Sequence, residues 1–360
     1  QGNSAVAIGD RAGVTSQGVQ AVSLGARAGQ TTQGNNATAI GADAGNSSQG
    51  ANATAIGGGS AQVSQGAAAV AVGYQSGQTN QGGAAVAVGH AAGRTDQGTG
   101  ALAVGYLAGD DTQGVYATSI GPFAGITRQG ARASAIGIVA GYRDQGTYAV
   151  ALGAYTGSYG QGSQATAVGY NAGYYGQSLS AVAIGYKAGA GISIFKTYVS
   201  GGVGSTTLVV SNTSGIVAGM ELINSIGYKS GQTVVSVDSG TSLTISAVAD
   251  GTPISSIQFS SGGQGQQGTA IGSQAAEQNQ GNFAVAIGSV AGNTNQGISS
   301  IAIGYKAGKN NQAVNSIVIN ATGSAVENTT ASSLVIKPIR NLAMTTILGY
   351  DAGTGEVTHN

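Results

Sequence analysis

The sequence has no cysteine and no tryptophan, and it has only 13 basic and 13 acidic residues among 360. Without cysteine there is neither a disulfide framework nor thiolate chemistry. The few basic side chains are scattered, which argues against a nucleic-acid-binding surface. No apolar run reaches the roughly 18 residues of a membrane-spanning helix, and two histidines cannot build a histidine-based metal or nucleophile site. We therefore expect no catalytic residue, metal, cofactor, nucleic-acid partner or membrane insertion.

Glycine is abundant instead, with 65 residues, and it recurs in a sixteen-residue repeat that reads Q-G-x-x-A-V-A-I-G-x-x-A-G-x-x-x. Positions within a unit are numbered here from its glutamine. The glutamines that open the sixteen units are Gln1, Gln17, Gln33, Gln49, Gln65, Gln81, Gln97, Gln113, Gln129, Gln145, Gln161, Gln177, Gln264, Gln280, Gln296 and Gln312. So short and fixed a period indicates a solenoid, with one coil per unit.

The residues at positions 4 to 8 alternate in size, with an aliphatic residue always at position 8 and almost always alanine or serine at positions 5 and 7. Alternation with period two predicts a strand, and the glycines at positions 9 and 13 predict corners. The chain is therefore predicted to be all-β, a parallel β-roll or β-solenoid. Twelve coils are expected over 1–192 and four over 264–327, with a small inserted β domain over 193–263 and a C-terminal connection over 328–360.

The alternating strand has two faces, and both are expected to be buried. Valine and isoleucine are expected to form the core of the roll. The small residues at positions 5 and 7 are expected on the other face, where they let identical chains pack closely in a homotrimer. The glutamines are expected to stack about 4.8 Å apart as a structural amide ladder. The first members inside the repeat are Gln17, Gln33, Gln49, Gln65 and Gln81.

The repeated motif A-V-A-I-G-x-x-A, as at 5–12 and 181–188, resembles the head repeats of trimeric autotransporter adhesins. This resemblance implies a left-handed parallel β-roll with three chains side by side, and attachment to host surfaces. The period here is longer and carries an added Gln-Gly. The sequence also lacks the heptad stalk of that family.

The C-terminal stretches 333–341 and 347–360 resemble the join in viral fibre and tailspike precursors that precedes a self-cleaving intramolecular chaperone of the endosialidase type. The resemblance implies that a trimer assembles on the chaperone, which is then released by cleavage before a serine. We expect the precursor to continue past Asn360 with a serine. Together the two resemblances favour a fibre on a virion surface over the head of a bacterial surface adhesin.

The insertion differs in composition from the repeats. Its stretches 206–210, 233–237 and 242–246 are rich in β-branched residues and are predicted to be strands. The stretch 215–222 resembles small β-modules of phage tail and surface proteins. A compact β-barrel projecting from the shaft is expected, either as a receptor-binding module or as a spacer or trimer clamp.

Tyrosine is concentrated just before the insertion, where eight of the fifteen tyrosines fall. Exposed rings can stack on sugars and offer a hydroxyl at the edge, so these residues are candidates for receptor or glycan binding. The alternative is that the rings fill grooves between neighbouring chains. The candidates are Tyr142, Tyr148, Tyr155, Tyr159, Tyr170, Tyr174, Tyr175 and Tyr186.

Arg94 shares its repeat position with Asp110 of the adjacent coil, and Arg128 likewise shares its position with Asp144. Stacked coils are expected to bring each pair together as a solvated ion pair. Asp110 and Asp111 are the only adjacent acids, and a carboxylate pair is what glycan cleavage requires. Neighbours along a strand point to opposite faces, however, which argues against such a pair.

These observations together predict a trimeric viral fibre or spike, not an enzyme, that binds a host-cell receptor, preferably a glycan, through many weak contacts. Three alternatives stay open. They are a bacterial surface adhesin head, a glycan-cleaving tailspike and an ice-binding solenoid, although the threonines are scattered and do not form a regular array.

Overall fold

A computed structural model describes residues 1–200, 207–210, 221–223, 234–245, 256–261, 263–339, 348–350 and 357–359. Throughout these residues the chain is all-β and contains no helix. The repeats stack as a parallel β-solenoid with seventeen coils. The prediction of an all-β solenoid is therefore confirmed.

One sheet, called the first sheet here, runs through all the coils and uses positions 6 to 8. Equivalent residues of successive units pair in parallel, for example Val6 with Val22 and Ile8 with Leu24. Its strands are Val6–Ile8, Val22–Leu24, Thr38–Ile40, Thr54–Ile56, Val70–Val72, Val86–Val88, Leu102–Val104, Thr118–Ile120, Ser134–Ile136, Val150–Leu152, Thr166–Val168, Val182–Ile184, Thr269–Ile271, Val285–Ile287, Ile301–Ile303, Ile317–Asn320 and Leu334–Lys337.

The second sheet uses positions 15 and 16 and the following glutamine, and it is less complete. Eight strands pair in parallel up to residue 129, and two more pair after the insertion. These strands are Thr15–Gln17, Thr31–Gln33, Ser47–Gln49, Val63–Gln65, Thr79–Gln81, Thr95–Gln97, Asp111–Gln113 and Thr127–Gln129, and then Gln278–Gln280 and Thr294–Gln296. Between the two groups, the side of the second sheet shows isolated bridges in place of paired strands, such as those from Arg143 to Tyr159 and from Tyr159 to Tyr175.

The interior of the solenoid is lined by alanine, not by valine and isoleucine. At positions 5, 7 and 12, alanines such as Ala37, Ala39 and Ala44 are 0% exposed. The aliphatic residues at position 8 point outwards instead, with Ile8 59% and Ile184 38% exposed. The predicted arrangement of the two faces was thus wrong. A coil of sixteen residues encloses so little space beside its buried glutamine that almost all the other inward side chains are alanine or serine.

The buried glutamines fill the rest of this narrow interior. Gln97 is 2% exposed, and its Nε2 donates to the carbonyl oxygens of Val86 at 2.9 Å and Ala101 at 3.4 Å. The space is so tight that a Cβ added to Gly93 would lie 2.8 Å from Gln97 Oε1. Each glutamine therefore acts as a core residue that also satisfies buried backbone acceptors.

The glutamine side chains also bond to one another along the axis. Nε2 of each donates to Oε1 of the next through ten consecutive bonds of 3.0–3.1 Å, from Gln33 to Gln264. Ser23 bridges Gln17 to Gln33 through its hydroxyl. The bond from Gln177 to Gln264 spans the insertion at 3.0 Å, so the amide ladder continues across it. Among the predicted ladder residues, the structure places Gln33, Gln49, Gln65 and Gln81 in one unbroken run.

The insertion leaves the coil that begins at Gln177, and the solenoid continues beyond it in register. Val182 pairs with Thr269, and Ile184 pairs with Ile271. Among the residues of the insertion that the structure describes, six strands pair antiparallel, including one at each of the three predicted stretches. They are Ile192–Ser200, Thr207–Val210, Glu221–Ile223, Val234–Val237, Ser242–Ile245 and Ser256–Ser261. Most of the stretch 215–222 lies outside the described residues.

The solenoid extends into the segment predicted as a C-terminal connection. Asn328 takes the place of the next glutamine, and its backbone oxygen accepts from Ala313 N at 2.9 Å. Leu334–Lys337 then pairs with Ile317–Asn320 as a seventeenth strand of the first sheet. Further along, Leu348–Tyr350 pairs antiparallel with Val357–His359. Residues 340–341, 347, 351–356 and 360 of the two stretches that resemble fibre precursors lie outside the described residues.

Candidate functional site

The outer face of the first sheet carries an uninterrupted aliphatic column, called the position-8 stripe here. Every coil contributes one valine, leucine or isoleucine, and strand pairing holds consecutive members side by side, as for Ile303, Ile319 and Ile336. Most members are 36–59% exposed. At about 4.8 Å per coil, the seventeen residues form an apolar stripe about 77 Å long. Exposed apolar surface on this scale is typical of an interaction surface.

Seven of the eight candidate tyrosines come together in one network of ring contacts. Tyr174 lies at its centre, with ring centroids 4.4 Å from Tyr175, 5.4 Å from Tyr159 and 6.4 Å from Tyr155. Further contacts of 5.4–5.9 Å connect the remaining members. This tyrosine network consists of Tyr142, Tyr155, Tyr159, Tyr170, Tyr174, Tyr175 and Tyr186.

Contacts within the tyrosine network cover many of the ring faces. Tyr170 and Tyr186 stack at 5.7 Å with an angle of 10° between their planes, and Tyr159 and Tyr175 stack at 5.4 Å with 20°. A ring whose face is covered by another ring offers a sugar its edge and hydroxyl rather than that face. The network is thus better suited to hydrogen bonding along a row of phenols than to stacking on every ring.

Burial separates the members of the network. Tyr170 and Tyr186 are each 49% exposed, whereas Tyr159 and Tyr174 are half-buried. Burial raises the pKa of the Tyr174 phenol well above its ordinary value, and the neighbouring phenols of Tyr175 and Tyr159 add to this. Burial also raises the pKa of Tyr159. The inner tyrosines are therefore neutral packing groups, and Tyr170 and Tyr186 form the accessible edge.

Tyr148 lies apart from the network, in a cluster that sequence reasoning did not find. Arg132 Nη1 donates a hydrogen bond to the Tyr148 hydroxyl. The Arg132 guanidinium carbon lies 5.4 Å from the Tyr148 ring centroid and 5.9 Å from that of Tyr116. All three residues occupy position 4 of successive coils, so the sixteen-residue spacing was the signal that could have found them.

A second aromatic column lies nearer the N-terminus. The rings of Tyr74, His90, Tyr106 and Phe123 follow one another with centroids 5.2–5.3 Å apart. Tyr74 is 55% and Tyr106 46% exposed. The shared position of the first three is visible in the sequence, but Phe123 stands one position later and joins only through the stacking of the coils.

Both charge pairs that the sequence suggested are close in the structure. Arg94 Nε lies 2.8 Å from Asp110 Oδ1, and Arg128 Nε lies 2.5 Å from Asp144 Oδ1. Asp110 is 7% exposed, and its burial raises the pKa of its carboxyl group against the attraction of Arg94. Asp111 is exposed, so the adjacent acids occupy different environments. A pair that sequence reasoning missed joins Arg27 to Asp43 at 2.6 Å.

The described residues contain no group of three or more histidine, cysteine, aspartate or glutamate side chains arranged to hold a metal ion. Over the same residues no helix has the length and apolar character needed to cross a membrane. No protein-family model, no curated protein and no solved structure matches the chain significantly.

Proposed function

We propose that the chain forms the shaft of a homotrimeric viral fibre that attaches the virion to a host-cell surface, with glycans as the preferred receptor class. The observation that carries this proposal is the position-8 stripe. A single coil binds nothing tightly, but three chains in register present three copies of every weak site. Such multivalent contact increases avidity without a deep pocket.

The stripe supports self-association because its geometry repeats with the coils. Identical stripes have the same spacing, so two copies match along their whole length. Covering seventeen half-exposed aliphatic side chains removes a large apolar area from water, which is the main driving force for association. The resemblance to trimeric adhesin heads favours three copies over two. The interface proposed here is the aliphatic face, in place of the alanine face expected from the sequence.

The association is tested by the mass in solution, measured by light scattering after size exclusion. A trimer has a mass near three times 34.7 kDa. The double variant Ile120→Glu with Ile136→Glu places charges within the stripe, and we expect it to give monomers. Val63→Glu is the matched control, because Val63 is 41% exposed but lies in the second sheet. A monomeric wild type, or equal dissociation by both variants, would contradict the proposal.

Attachment is tested separately by adding the labelled wild-type chain to host cells. Tyr170→Ala with Tyr186→Ala removes the accessible edge of the tyrosine network. Reduced cell binding at an unchanged melting temperature would support glycan contact there. Unchanged binding with a lowered melting temperature would assign the network to packing, with the insertion as the next candidate. Antibody labelling of intact virions distinguishes a viral fibre from a bacterial surface adhesin.

A further inference from the structure

We propose that Tyr116, Arg132 and Tyr148 form a binding site for an acidic sugar, in which the guanidinium holds a carboxylate or sulfate group. The inference rests on the proposed attachment function and names its ligand class. It also moves the site away from the tyrosine network, because Tyr148 is the one candidate tyrosine outside that network. The three residues stack at one corner of consecutive coils.

The sequence at this corner departs from the rest of the repeat. Apart from Phe283, all other coils carry alanine, glycine, serine, asparagine or glutamine at position 4. The backbone there is left-handed, with φ of 58° at Tyr116, 56° at Arg132 and 61° at Tyr148. Large side chains are disfavoured in this conformation, whereas glycine and asparagine tolerate it. Three large residues in succession at position 4 therefore depart from the small or amide side chains that the other coils carry there.

The packing of the three side chains presents Arg132 to solvent between two rings. A Cβ added to Gly100 in the preceding coil would lie 2.6 Å from the Tyr116 ring, so this ring lies over a glycine. The guanidinium follows at 5.9 Å and the Tyr148 ring completes the column. Tyr116 is 58% and Tyr148 49% exposed, and Arg132 is also exposed. The guanidinium is held in place while part of its donor edge stays accessible.

Charge separates Arg132 from three other arginines of the shaft. Arg27, Arg94 and Arg128 each form an ion pair with an aspartate of the next coil. Within the described residues Arg132 has no carboxylate within 4.0 Å, and its one hydrogen bond goes to the neutral Tyr148 hydroxyl. Its positive charge is therefore available to an external anion.

The surroundings favour an anion carried on a sugar ring. A guanidinium binds carboxylate or sulfate oxygens with paired, charge-assisted hydrogen bonds. Val115, next to Tyr116 in the chain, is 43% exposed and adds apolar surface beside the rings. Aromatic and aliphatic groups next to a fixed cation complement a pyranose that has one apolar face and one acidic substituent.

The test measures direct binding of small saccharides to the full chain by saturation-transfer NMR and calorimetry. The probes are 3′-sialyllactose, 3′-sulfolactose and the neutral parent lactose. We expect at least one acidic probe to bind at least about tenfold more tightly than lactose, and its affinity to fall at higher ionic strength. Binding of only one acidic probe identifies the anion.

Variants then assign the binding to this corner. Arg132→Gln should lower the affinity for the acidic probe about tenfold or more. The affinity of Arg132→Lys should lie between those of Arg132→Gln and wild type, because lysine lacks the paired donors. Arg11→Gln is the control, since Arg11 is also exposed and has no carboxylate within 4.0 Å in the described chain, and it should bind as wild type. An unchanged thermal midpoint verifies that the variants fold.

Two results would overturn this site: equal affinity for lactose and the acidic probes, or wild-type affinity in Arg132→Gln. Cell attachment separates this inference from the broader proposal. If host cells bind wild type and Arg132→Gln equally well and the acidic probe also binds the two equally, the fibre proposal stands and this site is wrong. If they bind neither while the acidic probe still binds wild type, the attachment proposal fails and the sugar site stands.

Discussion

The two sheets of the solenoid are built from the same coils, yet only the first continues without a break. The first sheet has seventeen paired strands and passes the insertion in register. The second sheet has eight paired strands up to residue 129, is then reduced to isolated bridges at Arg143, Tyr159 and Tyr175, and has two more paired strands after the insertion. The insertion begins immediately after position 15 of its coil. The second sheet is therefore the side of the solenoid on which the repeats depart from a regular pairing of strands.

The two sheets differ in continuity because their strands differ in how many side chains they bury in the interior or pack in the position-8 stripe. A strand of the first sheet has a buried alanine at position 7 and an aliphatic residue of the stripe at position 8, so both faces are constrained. A strand of the second sheet buries only its glutamine, as in the exposure of Thr95, Asp96 and Gln97. Positions 15 and 16 can therefore accept arginine, tyrosine or glycine at little cost to the interior.

The largest effect is expected from breaking the one inward contact of the second sheet. Gln97→Leu removes the donor to the Val86 and Ala101 carbonyls and both ladder bonds, to Gln81 and Gln113. Several buried polar groups then lose a partner, at about 1–3 kcal/mol each. We expect the free energy of unfolding to fall by about 4 kcal/mol in denaturant titration.

The matched control for this variant is Gln312→Leu. Gln312 donates to the Ile301 and Ser316 carbonyls, but its Oε1 has no hydrogen-bond partner. Gln312→Leu should therefore lower the free energy of unfolding by less than Gln97→Leu does. The difference measures the stability that the ladder bonds contribute. Equal costs at the two sites would show that the ladder bonds add no stability.

A smaller effect is expected from reversing the two faces of the first sheet. Ala135 is 0% exposed, whereas Ile136, the next residue, is 37% exposed. Ala135→Leu forces three extra carbon atoms into a filled interior, which should cost about 3 kcal/mol of unfolding free energy. Ile136→Leu conserves volume on the outer face and should cost less than about 1.5 kcal/mol. If Ala135→Leu were tolerated and Ile136→Leu were not, the assignment of the interior would be reversed.

The sequence predicts the repeat, the strand at positions 6 to 8 and the glutamine column because each depends on local periodicity. It does not decide which face of the strand is inside, since alternation with period two is the same for either choice. The decision depends on the width of the coil, which beside the buried Gln49 leaves room for Ala39 but not for Ile40. Width is a property of the closed coil and not of any single strand.

The residues of the candidate site also divide into those that the periodicity predicts and those that depend on the folded coil. The charge pair of Arg94 and Asp110 follows from the repeat, because stacking brings equal positions together. The tyrosine network contains contacts between different positions, such as Tyr155 with Tyr174, and these depend on the direction of each side chain at the corner. Arg132 was missed because a lone cation in a repeat has no pattern of its own until its neighbours in the stack are considered.

The smallest effect concerns Asp110, at the edge of the second sheet, and is a dependence of the unfolding free energy on pH. Burial raises the pKa of Asp110 above its ordinary value, despite Arg94 and the charge of His90. The folded chain therefore holds this proton more tightly than the unfolded chain. Its contribution to stability is present below the ordinary carboxyl pKa of about 3.9, and it is lost as pH rises through the raised folded value.

Asp110→Asn cannot titrate, so the stability of this variant relative to wild type should increase as pH rises above the ordinary carboxyl pKa of about 3.9. Asp43→Asn serves as the control of opposite sign. The hydrogen bond from Arg27 lowers the pKa of Asp43, so wild type gains stability over this variant as pH rises through values at and below about 3.9. Denaturant titrations at a series of pH values measure both slopes. Parallel slopes for the two variants would mean that Arg94, not burial, governs Asp110, and that the second sheet tolerates buried charge as readily as exposed charge.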